Sequence, residues 1–140
     1  MSSKYSSWVI SGLVLAYMTN AYSTAYAAQA CEGVDTALSA ARKHEYALLV
    51  AKAMTVKVDP SAVKLRNFME SGPWSAVYAS TPVSDDGVFF FQNVNGQKQF
   101  KEVWGGSADP SEKPELTKWV RDLGAPERLA TCFADVVTRD

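Results

Sequence analysis

A chain of 140 residues with 47% hydrophobic and 21% charged side chains has the composition of a folded protein, and its length suits one domain rather than two. Its formal charge of −1 at pH 7, from 14 basic and 15 acidic residues, lacks the basic surplus that nucleic acids and anionic membranes attract. With a single histidine and two cysteines that can pair with each other, no histidine-cysteine metal centre is indicated, and neither a metal nor a cofactor is expected.

The start of the chain is laid out as a secretory signal peptide. Lys4 precedes an apolar run from Trp8 to Tyr17, and small residues follow to Ala25-Tyr26-Ala27. A charged start, a short apolar centre and an Ala-x-Ala exit are the export and cleavage pattern, and the run is about half the length of a membrane-spanning helix. Residues 1–27 are therefore read as signal peptide and 28–140 as a single α+β domain. The expected location is periplasmic or extracellular, with no membrane span after cleavage.

Export frames the two cysteines, Cys31 and Cys132, because an even count in an oxidising compartment usually pairs. The bridge would tie the two ends of the domain together and, closing a loop of about a hundred residues, contribute roughly 4 to 5 kcal/mol in the chain-entropy model. The rival reading makes Cys31 the lipidated first residue of an envelope lipoprotein. Ala28-Gln29-Ala30-Cys31 has the small residue such a site needs, but not the branched apolar residue three back, and lipidation would leave Cys132 as a free thiol.

Between Cys31 and Met54 the residues are good helix formers. Val34, Ala37, Leu38 and Ala41 recur at helical spacing, and Tyr46, Leu49, Val50 and Ala53 repeat it in a shifted phase. The slip predicts either one helix or a pair that meets at Arg42-Lys43-His44-Glu45. Asp59-Pro60 ends the helical region. Val63 to Glu70 alternates as a strand until Asn67-Phe68, where the broken alternation signals a bulge or the end of a half-buried strand. Ser71-Gly72-Pro73 turns the chain into a second strand, Trp74 to Thr81, with Trp74, Ala76 and Tyr78 on one face and Ser75, Val77 and Ala79 on the other.

Asp85-Asp86-Gly87 supplies turn chemistry before Val88-Phe89-Phe90-Phe91, a strand with apolar side chains on both faces. Asn95-Gly96 is the strongest hairpin signal, since both central positions of a type I′ turn need positive φ. A two-residue turn pairs Val94 with Gln97, Phe91 with Phe100 and Phe89 with Glu102; a three-residue turn pairs Phe90 with Phe100 instead. One residue of slip exchanges the two faces. After Trp104-Gly105-Gly106, Pro114 opens a helix through Leu116, Trp119, Val120 and Leu123 that Gly124 stops. A second helix, Glu127 to Val137, carries Leu129, Cys132, Phe133 and Val136 on one face. The expected fold is α+β: an N-terminal helix or helix pair, a four-stranded antiparallel meander, two C-terminal helices and one disulfide.

Catalytic constellations are sparse. His44 has no second histidine and sits in an Arg-Lys-His-Glu run typical of a solvated helix face. Asp85-Asp86 reads first as a turn and second as paired carboxylates, and it lacks the spaced oxygen ligands of a calcium loop. Neither a Gly-x-Ser-x-Gly elbow nor a phosphate-cradling glycine loop occurs in the sequence. What stands out is the density of sheet aromatics. Either helices and loops bury both faces, or the surplus forms a binding surface, for which Trp74, Tyr78, Phe89 and Trp104, with Asp85 and Asp86 in the adjacent loop, are the candidate contacts.

The order of helices and antiparallel sheet in a small exported domain with one disulfide is similar in outline to bacterial secreted inhibitors of lysozymes and β-lactamases, an architectural analogy that covers no specific residue. Three readings follow. The first is an exported binding or inhibitory module that recognises a protein or small ligand through an aromatic-rich sheet surface. The second is a small hydrolase or lyase using carboxylates with His44, and the third an envelope-associated structural protein or lipoprotein.

Overall fold

A computed structural model describes residues 29–139, and the segment read as a signal peptide lies outside them. Helix α1 spans Ala40–Ala53. Four strands follow, β1 Lys64–Ser71, β2 Trp74–Thr81, β3 Ser84–Val94 and β4 Gln97–Gly105, in one antiparallel sheet of order β1-β2-β3-β4. Helices α2, Lys113–Asp122, and α3, Glu127–Val137, complete the domain, and Cys31 is bonded to Cys132 of α3. This is the α+β order expected, disulfide included.

The N-terminal helix starts later than its composition suggests. Residues 36–39 are not helical, and α1 runs unbroken through Arg42–Glu45, so of the two alternatives the single helix is the one formed. A local cap and a distant bridge decide this. The Ser39 side chain caps α1 by accepting the Arg42 N–H at 3.2 Å. Upstream, Asp35 exchanges two backbone hydrogen bonds of 2.9 Å with Glu70, so the segment is drawn onto the edge of β1 instead of into a helix. Arg42 fastens it there: its guanidinium donates to Asp35 at 2.7 Å and to the Ala37 carbonyl at 2.8 Å, and stacks 4.3 Å from the Phe68 ring centre.

Each strand pair carries one register shift, that of β2–β3 lying near its connecting turn between Ala79 and Thr81. The β1–β2 register shifts between Leu65 and Asn67, close to the expected break. The β3–β4 hairpin has the two-residue turn, with Asn95 at φ 53° and Gly96 at φ 83°, and pairs Val94 with Gln97 and Phe91 with Phe100. Beyond Phe100 the expected ladder fails. Lys101 is an extra residue in β4, so Phe90 faces Glu102 and Phe89 faces Val103 rather than Glu102.

The sheet is buried on both faces, giving three layers. On one face Trp74, Ala76, Val88 and Phe90 pack with Leu116 and Val120 of α2 and Leu129, Cys132 and Phe133 of α3. On the other, Phe68, Val77, Phe89 and Phe91 pack with Tyr46 and Val50 of α1 and with Val58 and Val63 of the following loop. Most of the sheet aromatics are buried in this way, Trp74, Phe89, Phe90 and Phe91 among them.

Candidate functional site

The two faces are covered unequally, and elementary dimensions explain why. A helix is about 10 Å wide with its side chains and strands lie about 4.8 Å apart, so one helix shields roughly two strands. The pair α2 and α3 suffices for a four-stranded sheet; α1 alone does not. It packs over β1 to β3, and the α1-side surface of β4 stays open. There Phe100 is 41% exposed and Val103 42% exposed, large apolar side chains on a sheet edge.

The Lys101 bulge brings these two together. In an unbroken strand, residues three apart point to opposite faces. With Lys101 as the extra residue, Phe100 sits opposite Phe91 and Val103 opposite Phe89, so both project to the α1 side. The Phe100 ring packs 6.1 Å from Phe89 and 5.9 Å from Phe91. Gly87 lets the strands close in at this point: a Cβ on it would lie 3.0 Å from the Trp104 carbonyl oxygen and 3.2 Å from a Val103 methyl.

The result is a trough between the second half of α1 and β4, made of two hollows of about 430 and 420 Å³ that share Ala53 and Phe100. Leu49, Lys52 and Lys98 line the hairpin end, and Met54, Asp85, Glu102 and Val103 the other. The trough is therefore apolar at its centre, basic at one end and acidic at the other. Lys98 is anchored by an ion pair with Glu45 and lies 4.9 Å from the Tyr46 ring centre. Burial alone lowers the proton affinity of its amine, but the Glu45 carboxylate and neighbouring Tyr46 hold it above its ordinary value, so Lys98 stays protonated. Beneath, Tyr46 donates to the Ser75 hydroxyl at 2.8 Å; burial pushes its phenol up against the opposing effect of that bond.

The candidate contacts divide accordingly. Trp74, at 4% exposure, is core and presents no surface, because α2 and α3 cover its face. Phe89, at 5%, is also buried, yet its ring edge forms part of the trough floor. Asp85 is exposed on the trough rim. Tyr78 and Asp86 gather elsewhere, around Arg66, whose guanidinium lies 5.4 Å from the Tyr78 ring centre and 2.6 Å from the Asp86 carboxylate. Trp104 is half-buried, its ring 5.6 Å from Phe133. Thus the trough unites Asp85 and Phe89, and it adds Phe100 and Val103, which strand alternation alone assigns to opposite faces.

The acid-base groups are dispersed. His44 is exposed on α1 and Asp86 is paired with Arg66. Asp59 caps one 3₁₀ turn, and Asp109 with Glu112 forms the capping box of another. The Ser61 backbone and hydroxyl hold the Asp59 carboxyl below its usual range. Among the described residues, no group of three or more His, Cys, Asp or Glu is placed to hold a metal ion. Cys31 is consumed in the disulfide, which removes the thiol a lipid anchor would need. Among the described residues, no helix is long and apolar enough to cross a membrane. No protein-family model matches the chain, and neither does any curated protein or solved structure.

Proposed function

We propose that this protein is an exported binding or inhibitory module, periplasmic or extracellular, that recognises a protein partner through the trough between α1 and β4. The observation that carries this reading is the pair Phe100 and Val103: exposed apolar side chains on a rigid sheet, set by a bulge onto a surface that α1 leaves open. The disulfide is compatible with an oxidising compartment. Recognition by shape and charge suits the site better than catalysis, because its polar groups lie at the ends, Lys52 and Lys98 against Asp85, and not at a shared reacting centre. A fitting partner segment is apolar in the middle, with an acid toward Lys98 and a base toward Asp85.

The test is photo-cross-linking in the native extracytoplasmic fraction, with a photoreactive residue at position 100 and, as control, at Val56, another exposed apolar side chain. An adduct with a different protein that forms from position 100 and not from position 56 is expected. The same adducts from both positions, or none from position 100, would overturn the reading.

A further inference from the structure

The trough has one wall, α1, and on its far side it ends at the bare edge of β4. We infer that a second copy of this chain supplies the missing wall by pairing β4 against β4 in antiparallel, which makes one eight-stranded sheet with the two α1 helices flanking a common trough.

The sequence of β4 is complementary to itself about a two-fold axis. Placing that axis between Lys101 and Glu102 sets each Lys101 opposite the partner subunit's Glu102, and each Phe100 opposite the partner subunit's Val103. Opposite charges and apolar pairs directly across a ladder are favourable, and like charges there are not. The neighbouring registers fail this condition. Moving the axis onto Lys101 sets lysine against lysine and Phe100 against Glu102; moving it onto Glu102 sets glutamate against glutamate. The bulge makes the favoured register consistent in facing, since Phe100 and Val103 both lie on the α1 side, as their opposition across the axis requires.

Two further features agree. The trough is basic at the hairpin end and acidic at the other, so an antiparallel copy brings the Lys98 end of one chain beside the acidic end of its partner. The backbone N–H of Val103 donates to the Glu102 carboxylate at 3.0 Å, a side chain serving an edge amide. On pairing, that carboxylate turns to the partner subunit's Lys101 and the amide passes to a backbone carbonyl. The opposite sheet edge is bridged by Asp35 at Glu70, near the end of β1, whereas no such bridge lies on β4 among the described residues. Edge lysines and a bulge ordinarily guard a strand against indiscriminate pairing; here they admit one register.

This inference builds on the trough as the binding surface but is tested on residues outside its apolar centre. Lys101 and Glu102 are both exposed, so charge reversal leaves the fold intact. The experiment is sedimentation velocity over a concentration series of the disulfide-bonded protein, Lys101→Glu, Glu102→Lys and an equimolar mixture of the two variants. The wild type should show a concentration-dependent dimer, each variant should dimerise about tenfold more weakly, and the mixture should recover wild-type association because every facing pair is again opposite in charge. A wild type that stays monomeric throughout, or a mixture no tighter than its components, would overturn the inference. In either case a position-100 adduct with another protein would leave the binding reading standing.

Discussion

The two faces of the sheet make the instructive comparison in this molecule. The face under α2 and α3 closes around Phe133, whose ring meets Phe90 at 5.2 Å, Trp104 at 5.6 Å and Trp119 at 6.1 Å. The face under α1 closes as tightly around Tyr46, flanked edge-on by Phe68 at 5.1 Å and Phe91 at 5.7 Å, but stops short of β4. The same strand chemistry thus yields core on one side and core plus an open apolar margin on the other. The difference lies in the number of helices available, and it separates residues that hold the fold from residues free to serve recognition.

Perturbations should separate the same way. Removing the disulfide with Cys31→Ala/Cys132→Ala should have the largest effect, as much as about 4 to 5 kcal/mol in denaturant unfolding, because 101 residues separate the bridged positions. Phe133→Ala on the closed face should destabilise by about 3 to 5 kcal/mol in the same assay, through a cavity among three aromatic rings. Tyr46→Phe should lose about 1 to 2 kcal/mol, since it leaves the buried Ser75 hydroxyl without its partner while keeping the ring. Phe100→Ser, at the margin, should change stability by less than about 1 kcal/mol. A Phe100→Ser loss as large as that of Phe133→Ala would erase the distinction between the faces.

The smallest effect concerns the latch over β1. The Arg42 hydrogen bond and then the Ala37 amide hold the Asp35 carboxyl below its ordinary range. A group whose folded value is lowered contributes fully above its unfolded value and loses that contribution as pH falls through the lowered one. Thermal unfolding followed into acid should therefore show a shallower decline for Asp35→Asn than for the wild type. Identical acid limbs would show that the latch carries no weight.

Much of this fold was legible because local chemistry and tertiary demand agree. Asn95-Gly96 permits the positive φ of its turn, Gly124 at φ 100° stops α2, and the 3.6-residue spacing of Leu129, Cys132, Phe133 and Val136 matches the buried stripe of α3. The helix start at Ala40 was not legible, because the bond that pulls Asp35 away is made to Glu70, far along the chain. The site was half legible. Asp85 and Phe89 line the trough, but Trp74 is core, and whether the aromatic surplus is covered depends on which face each helix takes. The pairing of Phe100 with Val103 on one face was not legible, because strand alternation assigns them to opposite faces until the Lys101 bulge is known. An apolar pair three apart around a lysine and a glutamate, on a last strand, was the available signal.

The central claim is that the margin of β4 works while the closed faces hold. It is tested most directly by partner capture with Phe100→Ser and wild-type protein, each shown to have the same urea unfolding midpoint. The account predicts that the partner cross-linked at position 100 is lost from the variant. Undiminished capture by Phe100→Ser of equal stability would contradict it.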